Sequence, residues 1–145
     1  IIPIYFKEIE NAPKELMTTK IFLSDSRFVN EPYFDCSRTI AIDRQVPKTP
    51  AVGRTALEAL LRGATQEEIN QGFITTINPG VRIQKIVIEE AVAKVDFDEQ
   101  LQEYVGGSCR VSAIRAQITE TLKQFPTVDN VIISINGRTE DILQP

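Results

Sequence analysis

The stretch GGSCRVSAIRAQITETLKQF, from Gly106 to Phe125, decides the fold of this chain. Gly106 and Gly107 break the preceding chain, and Ser108 has the side chain of a helix N-cap. The apolar residues then recur at helical steps and form one seam, made of Val111, Ile114, Ile118, Leu122 and Phe125. Pro126 ends the pattern. The remaining helix surface is assigned to Arg110, Arg115, Gln117, Glu120, Lys123 and Gln124. The stretch therefore predicts a helix with one buried apolar face that begins beside Cys109.

Length and charge exclude several classes of protein. A chain of 145 residues with 42% apolar content suits one domain with an ordinary core. The net charge of -4 and the dispersed basic residues argue against a nucleic-acid binder, which needs concentrated Lys and Arg. No apolar run is long enough to cross a bilayer. Because the chain starts at Ile1 rather than Met, we expect a mature or trimmed fragment whose native N-terminus, with any targeting signal, is missing.

The cysteine and histidine counts limit the chemistry. Cys36 and Cys109 are the only cysteines, and there is no histidine. Two thiols alone cannot complete a zinc site, and no Cys-His or Ser-His-Asp arrangement is possible. We therefore predict no catalytic residue, no metal ligand and no cofactor. From the residues alone, a disulfide between the two cysteines and two free thiols remain equally open.

The rest of the chain alternates strand and helix patterns in the order β, β, α, β, β, α, β. After a β-prone segment at residues 1–9, strands are predicted at 20–25, 35–46, 82–88, 92–98 and 130–136, and a helix at 51–62. The second of these strands would place Cys36 on the same face as Ile40 and Ile42. Thr65 begins a capping-box pattern that predicts a short helix. This order predicts an α+β domain with a mixed sheet and two main helices packed against it.

Three groups of residues are candidates for chemistry, and each also has a simpler structural explanation. The free backbone N–H groups at Gly106, Gly107 and Ser108 are typical of a site that binds an anion at a helix N-terminus. Use of these residues as a turn and helix cap is the favoured interpretation. The acidic group Asp96, Asp98, Glu99 and Glu103 has the chemistry for a cation or a carboxylate pair, but a hydrated hairpin face is favoured. The dispersed basic residues are Lys20, Arg27, Arg38, Arg44, Lys48, Arg54, Arg110 and Arg115, for which solvated surface is the default.

Three sequence blocks together resemble a known family. They are VPKTPAVGRTALEALLRGATQEEINQGF at 46–73, INPGVRIQKIVIEEAVAKVDFDEQL at 77–101 and GGSCRVSAIRAQITETLKQFPTVDNVIISINGR at 106–138. From about Thr18 to Pro145 the chain resembles the GerMN domain, the sporulation and spore germination domain. The resemblance divides the chain into an N-terminal arm or extra edge strand at 1–17 and a GerMN domain at 18–145. Two departures are Ala91, where the hairpin turn of the family commonly has Gly, and the cysteine pair, to which the family is not tied.

The resemblance implies a function as well as a fold. Members are compact modules of bacterial envelope proteins, often lipoproteins, without known catalytic activity, and their fold is similar to ring-building modules. It implies a non-enzymatic assembly or interaction module outside the cytoplasm, linked to sporulation or germination, which binds an envelope protein or itself and contacts the membrane only through a tether absent from this chain. The oxidising location favours a Cys36–Cys109 disulfide. The rival hypothesis is an envelope glycan-binding or carboxylate-dependent hydrolytic domain.

Overall fold

The structure, a computed structural model, describes residues 15–29 and 35–144. Within these residues the strands are β1 (Leu16–Asp25), β2 (Thr39–Pro47), β3 (Phe73–Ile74), β4 (Ile83–Glu89), β5 (Val92–Phe97) and β6 (Asn130–Ile135). The α-helices are α1 (Val52–Leu61), α2 (Gln66–Asn70) and α3 (Ser108–Lys123), with short 3-10 turns at Ser26–Phe28 and Glu99–Gln102. The predicted strand at 1–9 and most of the predicted arm lie outside the described residues.

The first sheet is antiparallel and has the strand order β2-β1-β3. β1 pairs with β2 from Leu16 opposite Pro47 to Ser24 opposite Thr39. Alternation sets its faces, because Ile21 and Leu23 are fully buried while the intervening Phe22 is only half-buried. On its other edge β1 meets only the two residues of β3, at Ser24 and Asp25. Most of that edge therefore has no neighbouring strand among the described residues.

The second sheet is mixed and has the order β4-β5-β6. β4 and β5 form an antiparallel hairpin, and a bulge occurs as a register shift between Ile83 and Lys85. The turn residues Glu90 and Ala91 both have positive φ, at 50° and 64°, so Ala91 adopts a conformation that usually favours Gly. β6 returns parallel to β5, and this parallel return requires the crossover that α3 provides.

The helices and both sheets share one hydrophobic core. The apolar stripe of α1 contributes Ala56, Leu57 and Leu60, and the seam of α3 contributes Ile114, Ile118 and Leu122. The inward residues of β5 are Ala93, Val95 and Phe97, which are buried as their alternation predicts. The α+β class is confirmed, and the structure adds that the described strands divide between two sheets.

Three local predictions are wrong. Cys36 lies in a turn before β2 rather than in the strand, so strand alternation does not place it beside Ile40 and Ile42. Ser108 is the first residue of α3, and the N-cap is Gly107, whose φ of 86° is readily adopted by glycine. The prediction of a single buried face on α3 is also wrong, because Gln117, which lies off the apolar seam, is fully buried.

Candidate functional site

The N-terminus of α3 is attached covalently to the first sheet. Cys109, the second residue of α3, forms a disulfide with Cys36 across a sequence separation of 73 and a Cα–Cα distance of 5.2 Å. The backbone N–H of Asp35 donates to the carbonyl of Phe28 at 2.8 Å, so residues 28 and 35 are also held together. The disulfide therefore fixes the start of α3 to the turn that leads into β2.

The glycine-rich entry to α3 works as a helix start. Gly107 accepts a hydrogen bond from the N–H of Val111 at 3.2 Å through its carbonyl, and no side chain caps the helix. Gly106 and Gly107 have open space where a side chain would stand. The geometry fits the favoured interpretation of this segment as a joint between the second sheet and α3.

A polar stripe on α3 binds the open edge of β1. Gln124 accepts from the N–H of Lys20 at 3.0 Å and donates to the carbonyl of the same residue at 2.7 Å. Thr121 accepts from the N–H of Phe22 at 3.1 Å through its hydroxyl. These side chains satisfy backbone groups that a further strand would otherwise pair.

Gln117 extends the polar stripe into the core. Its Oε1 accepts from the hydroxyl of Ser24 at 3.2 Å and from the N–H and hydroxyl of Thr76 at 2.9 and 2.6 Å. Its Nε2 donates to the hydroxyl of Thr75 at 3.1 Å. Both ends of this buried amide are satisfied, so Gln117 connects α3, β1 and the segment after β3.

The predicted acidic group serves local hydrogen bonds. Asp96 accepts from the hydroxyl of Ser134 at 2.6 Å and from the N–H of Gly137 at 2.8 Å, which fixes the turn after β6. Asp98 accepts from the N–H of Arg82 at 3.2 Å. The other two members are separate as well: Glu99 pairs with Arg138 at 3.3 Å, and the carbonyl of Glu103 accepts from Asn78. Among the described residues, no three potential metal ligands assemble into a group.

Most of the predicted basic residues have separate partners, but Arg27 and Arg38 come together at the ring of Phe28. The ion pairs are Lys20–Asp43, Arg27–Asp25, Arg44–Glu68, Lys48–Glu15 and Arg54–Glu58. Arg27 and Arg38 both lie over the ring of Phe28, at 5.5 and 4.3 Å, and Arg115 donates to the carbonyl of Ile142 at 3.2 Å. Within the described part of the chain, these basic residues therefore form no common cluster beyond the two that share Phe28.

Two of these ion pairs change the acidity of their carboxylates. Arg44 donates to both oxygens of Glu68, at 2.6 and 2.7 Å, and these bonds lower the pKa of Glu68 to about 2. Glu68 also accepts from the N–H of Thr65, which completes the predicted capping box. Similarly, the side-chain hydrogen bonds from Arg27 lower the pKa of Asp25. The Arg44–Glu68 pair attaches α2 to β2.

A loop that the sequence analysis missed presents an aromatic side chain to solvent. Tyr104 is 93% exposed, and its φ of 55° lies in the left-handed region. Asn78 holds this loop by donating to the carbonyls of Gln100 at 2.9 Å and Glu103 at 2.7 Å. Arg110 donates to the Asn78 side chain at 2.5 Å and to the carbonyl of Tyr104 at 3.5 Å. The sequence predicts only the turn at Gly106 and Gly107, because a single exposed Tyr is not part of a periodic apolar pattern.

A second missed feature is a groove between the end of α1 and the start of β4. Its volume is about 500 Å³. Its lining comprises Arg54, Glu58, Leu61, Arg62, Gly80, Val81, Arg82 and Ile83. We call this feature the basic groove. Arg62 and Arg82 were absent from the sequence candidates, because nothing in a linear pattern distinguishes them from other surface arginines.

Comparison with known proteins identifies relatives of this fold. The family model described as sporulation and spore germination matches residues 22–141. The first GerMN domain of the sporulation protein GerM from Bacillus subtilis has a TM-score of 0.65 and 23% identity, covering 85% of each chain. The structure of the tandem GerMN domains of the same protein gives the same TM-score and identity, but the alignment covers 86% of this chain and 41% of that one.

A more distant solved structure is a putative lipoprotein from Clostridium perfringens. Its TM-score is 0.52 at 10% identity, over 85% of this chain and 76% of that one. At these identities the solved structures show similarity of fold alone. No curated protein matches the chain. Within the described residues, no helix combines the length and apolar character needed to span a membrane.

Proposed function

The chain belongs to the sporulation and spore germination family, and we propose that it is a non-enzymatic protein-interaction module of a bacterial envelope protein. Family membership supports a sporulation-related role. The finer proposal is that the module acts outside the cytoplasm, anchored as a lipoprotein, and assembles with an envelope protein or with itself.

The observation that carries this proposal is that Tyr104 is exposed on a loop that hydrogen bonds hold in place. A Tyr ring that is 93% exposed contributes nothing to the core, yet its loop is held by side-chain hydrogen bonds from Asn78 and Arg110. Tyr is enriched among residues that dominate binding energy, since it buries a large area with little loss of side-chain entropy. A held loop also reduces the ordering cost of association. Tyr104 therefore has the properties of an anchor for a protein partner.

Two further observations support the envelope location. A disulfide between Cys36 and Cys109 is typical of proteins in oxidising compartments. One protein of similar fold carries the description of a putative lipoprotein. Both agree with an anchored module outside the cytoplasm.

Site-specific photo-crosslinking in the native host tests the proposal. A photoreactive amino acid replaces Tyr104 in one variant, and in the control it replaces Ile69, which is 45% exposed on α2. We expect a covalent adduct with a protein from position 104 and none from position 69. Absence of an adduct at position 104, or the same adducts from both positions, would count against the proposal.

The peptide composition of the adduct identifies the kind of partner. An adduct that contains peptides of this protein alone indicates self-assembly, which light scattering across a concentration series checks independently. An adduct that also contains peptides of another protein indicates a different partner, which mass spectrometry of the adduct then identifies.

A further inference from the structure

The basic groove has charges that the rest of the molecule leaves unpaired. Arg62 and Arg82 are exposed and form no side-chain hydrogen bond or ion pair within the described residues. Arg54 is bound on one side by Glu58 at 3.1 Å and on the other by the carbonyl of Ile83 at 3.4 Å. The positive charge available to a ligand is therefore concentrated on the two free guanidiniums. This concentration is local, because the whole chain has a net charge of -4.

The groove also contains apolar residues. Leu61 and Ile83 are half-buried and Val81 is buried, and all three line the groove together with the arginines. A volume of about 500 Å³ lies in the range of grooves that accept a ligand of one or a few side chains. An occupant of matching chemistry thus combines negative charge with an apolar group.

We propose that the basic groove binds a linear segment of a partner protein in which acidic residues flank an apolar side chain. The carboxylates pair with Arg62 and Arg82, since a guanidinium matches a carboxylate in a two-pronged geometry. The apolar side chain contacts Leu61, Val81 and Ile83, from which it displaces water.

The apolar lining favours a protein segment over a phosphate polymer. A phosphate chain would pair equally well with the two arginines but would leave Leu61 and Ile83 exposed to water. Glu58 also lines the groove, where it is paired with Arg54, so the lining is not uniformly positive. The mixed chemistry of the site therefore selects a peptide.

This inference goes beyond the proposed function, because it adds a second surface and states the chemistry of its ligand. The groove and the Tyr104 loop flank the same turn, since Asn78 holds the loop while Gly80 lines the groove. The tests remain independent, because groove binding is measured with a peptide in vitro and crosslinking at position 104 in the cell.

Fluorescence anisotropy with defined probes tests the inference. The probe is a fluorescein-labelled peptide with a central phenylalanine flanked by aspartates and glutamates. Three comparison probes are used. They are the same peptide with glycine at the centre, a peptide with lysines in place of the acidic residues, and labelled inorganic polyphosphate. We expect the Arg62→Gln/Arg82→Gln variant to bind the acidic peptide about tenfold more weakly than the wild-type protein does.

The matched control is Lys94→Gln/Lys123→Gln. It removes the same charge from two exposed lysines outside the groove, and Lys123 lies in the last turn of α3 just as Arg62 caps the end of α1. The control should bind the peptide as the wild-type protein does. Because all four side chains lack partners among the described residues, both variants should unfold at the temperature of the wild-type protein.

Three results would overturn the inference. Equal losses in the two double variants would show that net charge alone drives binding. Unchanged affinity for the glycine-centred peptide, together with equal or tighter binding of polyphosphate, would show that the groove selects phosphate chemistry. Absence of binding to the acidic peptide at about 50 mM salt, where screening is weakest, would show that the groove is not a site for such a segment.

Discussion

Helix α3 has two buried stripes side by side, and they differ in chemistry. One is the apolar seam through Ile114, Ile118 and Leu122, which packs into the common core. The other is the polar stripe of Gln117, Thr121 and Gln124, whose side chains form hydrogen bonds with residues of β1. Burial alone does not distinguish them, since Gln117 and Ile118 are both 0% exposed.

The difference teaches how a helix can replace a strand. β1 has a full strand partner on one edge but only the two residues of β3 on the other. Gln124 and Thr121 cover the next part of that edge, where they satisfy both backbone groups of Lys20 and the N–H of Phe22. An unpaired edge is a template for unwanted association, so the polar stripe protects the first sheet as well as positioning α3.

The largest expected effect concerns the covalent attachment of α3 rather than either stripe. The Cys36→Ser/Cys109→Ser variant should lose about 4 kcal/mol of unfolding free energy, because the disulfide closes a long loop in the unfolded chain. Urea unfolding measures the loss, and reduced wild-type protein should match the variant. If the unreduced protein shows two thiols that alkylate under denaturing conditions, the disulfide is absent.

The next effect tests the apolar stripe. Ile118→Ala removes a fully buried side chain and leaves a cavity, so we expect a loss of about 3 kcal/mol in urea unfolding. The control is Glu120→Ala on the exposed side of α3, which should change stability little. A loss at Ile118 no larger than at Glu120 would contradict the packing of the seam.

The polar stripe should give a somewhat smaller effect. Gln117→Leu keeps similar volume but leaves the hydroxyl of Ser24 and the N–H of Thr76 without their acceptor, so we expect a loss of about 2 kcal/mol. Lys123→Leu makes a similar polar-to-apolar change at an exposed position and should be nearly neutral. A more stable Gln117→Leu protein would show that the stripe is not needed to satisfy these groups.

The smallest expected effect tests the ion pair that attaches α2 to β2. Glu68→Gln removes the charge partner of Arg44 and should cost about 1.5 kcal/mol at neutral pH. Because the folded-state pKa of about 2 lies below the ordinary 4.5, this contribution is present above pH 4.5 and is lost as the pH falls through about 2. The two proteins should therefore converge in stability toward pH 2.

Urea unfolding across pH measures that convergence. The control is Glu67→Gln, an exposed neighbour without an ion pair among the described residues, and its difference from the wild-type protein should stay small at every pH. A difference between wild-type and Glu68→Gln that persists unchanged at about pH 2 would argue against the ion pair as its cause.

Predictions from spacing within one element were accurate for the seam of α3 and the capping box at Thr65, which both follow from residues close together in sequence. The N-cap of α3 is an exception, since it is Gly107 rather than Ser108. Prediction failed for a residue whose hydrogen-bond partners are distant in sequence. Gln117 lies off the apolar seam and nothing near it in sequence indicates burial, because its partners Ser24 and Thr76 are 93 and 41 residues away.

The sequence also does not indicate the two candidate surfaces, the Tyr104 loop and the basic groove. Tyr104 and the two free arginines resemble any exposed residues until the fold shows which side chains hold the loop and which apolar residues line the groove. Their significance depends on what surrounds them in space, which hydrophobic periodicity does not report.

The sequence by itself determined the α+β class, the family and the order of the main elements, because apolar periodicity and turn residues act over a few positions. Only the tertiary structure decided that the strands divide into two sheets and that Gln117 and Thr121 of α3 serve the first of them. The physical reason is that the backbone groups of β1 require partners, and which distant side chains supply them is fixed when the chain packs.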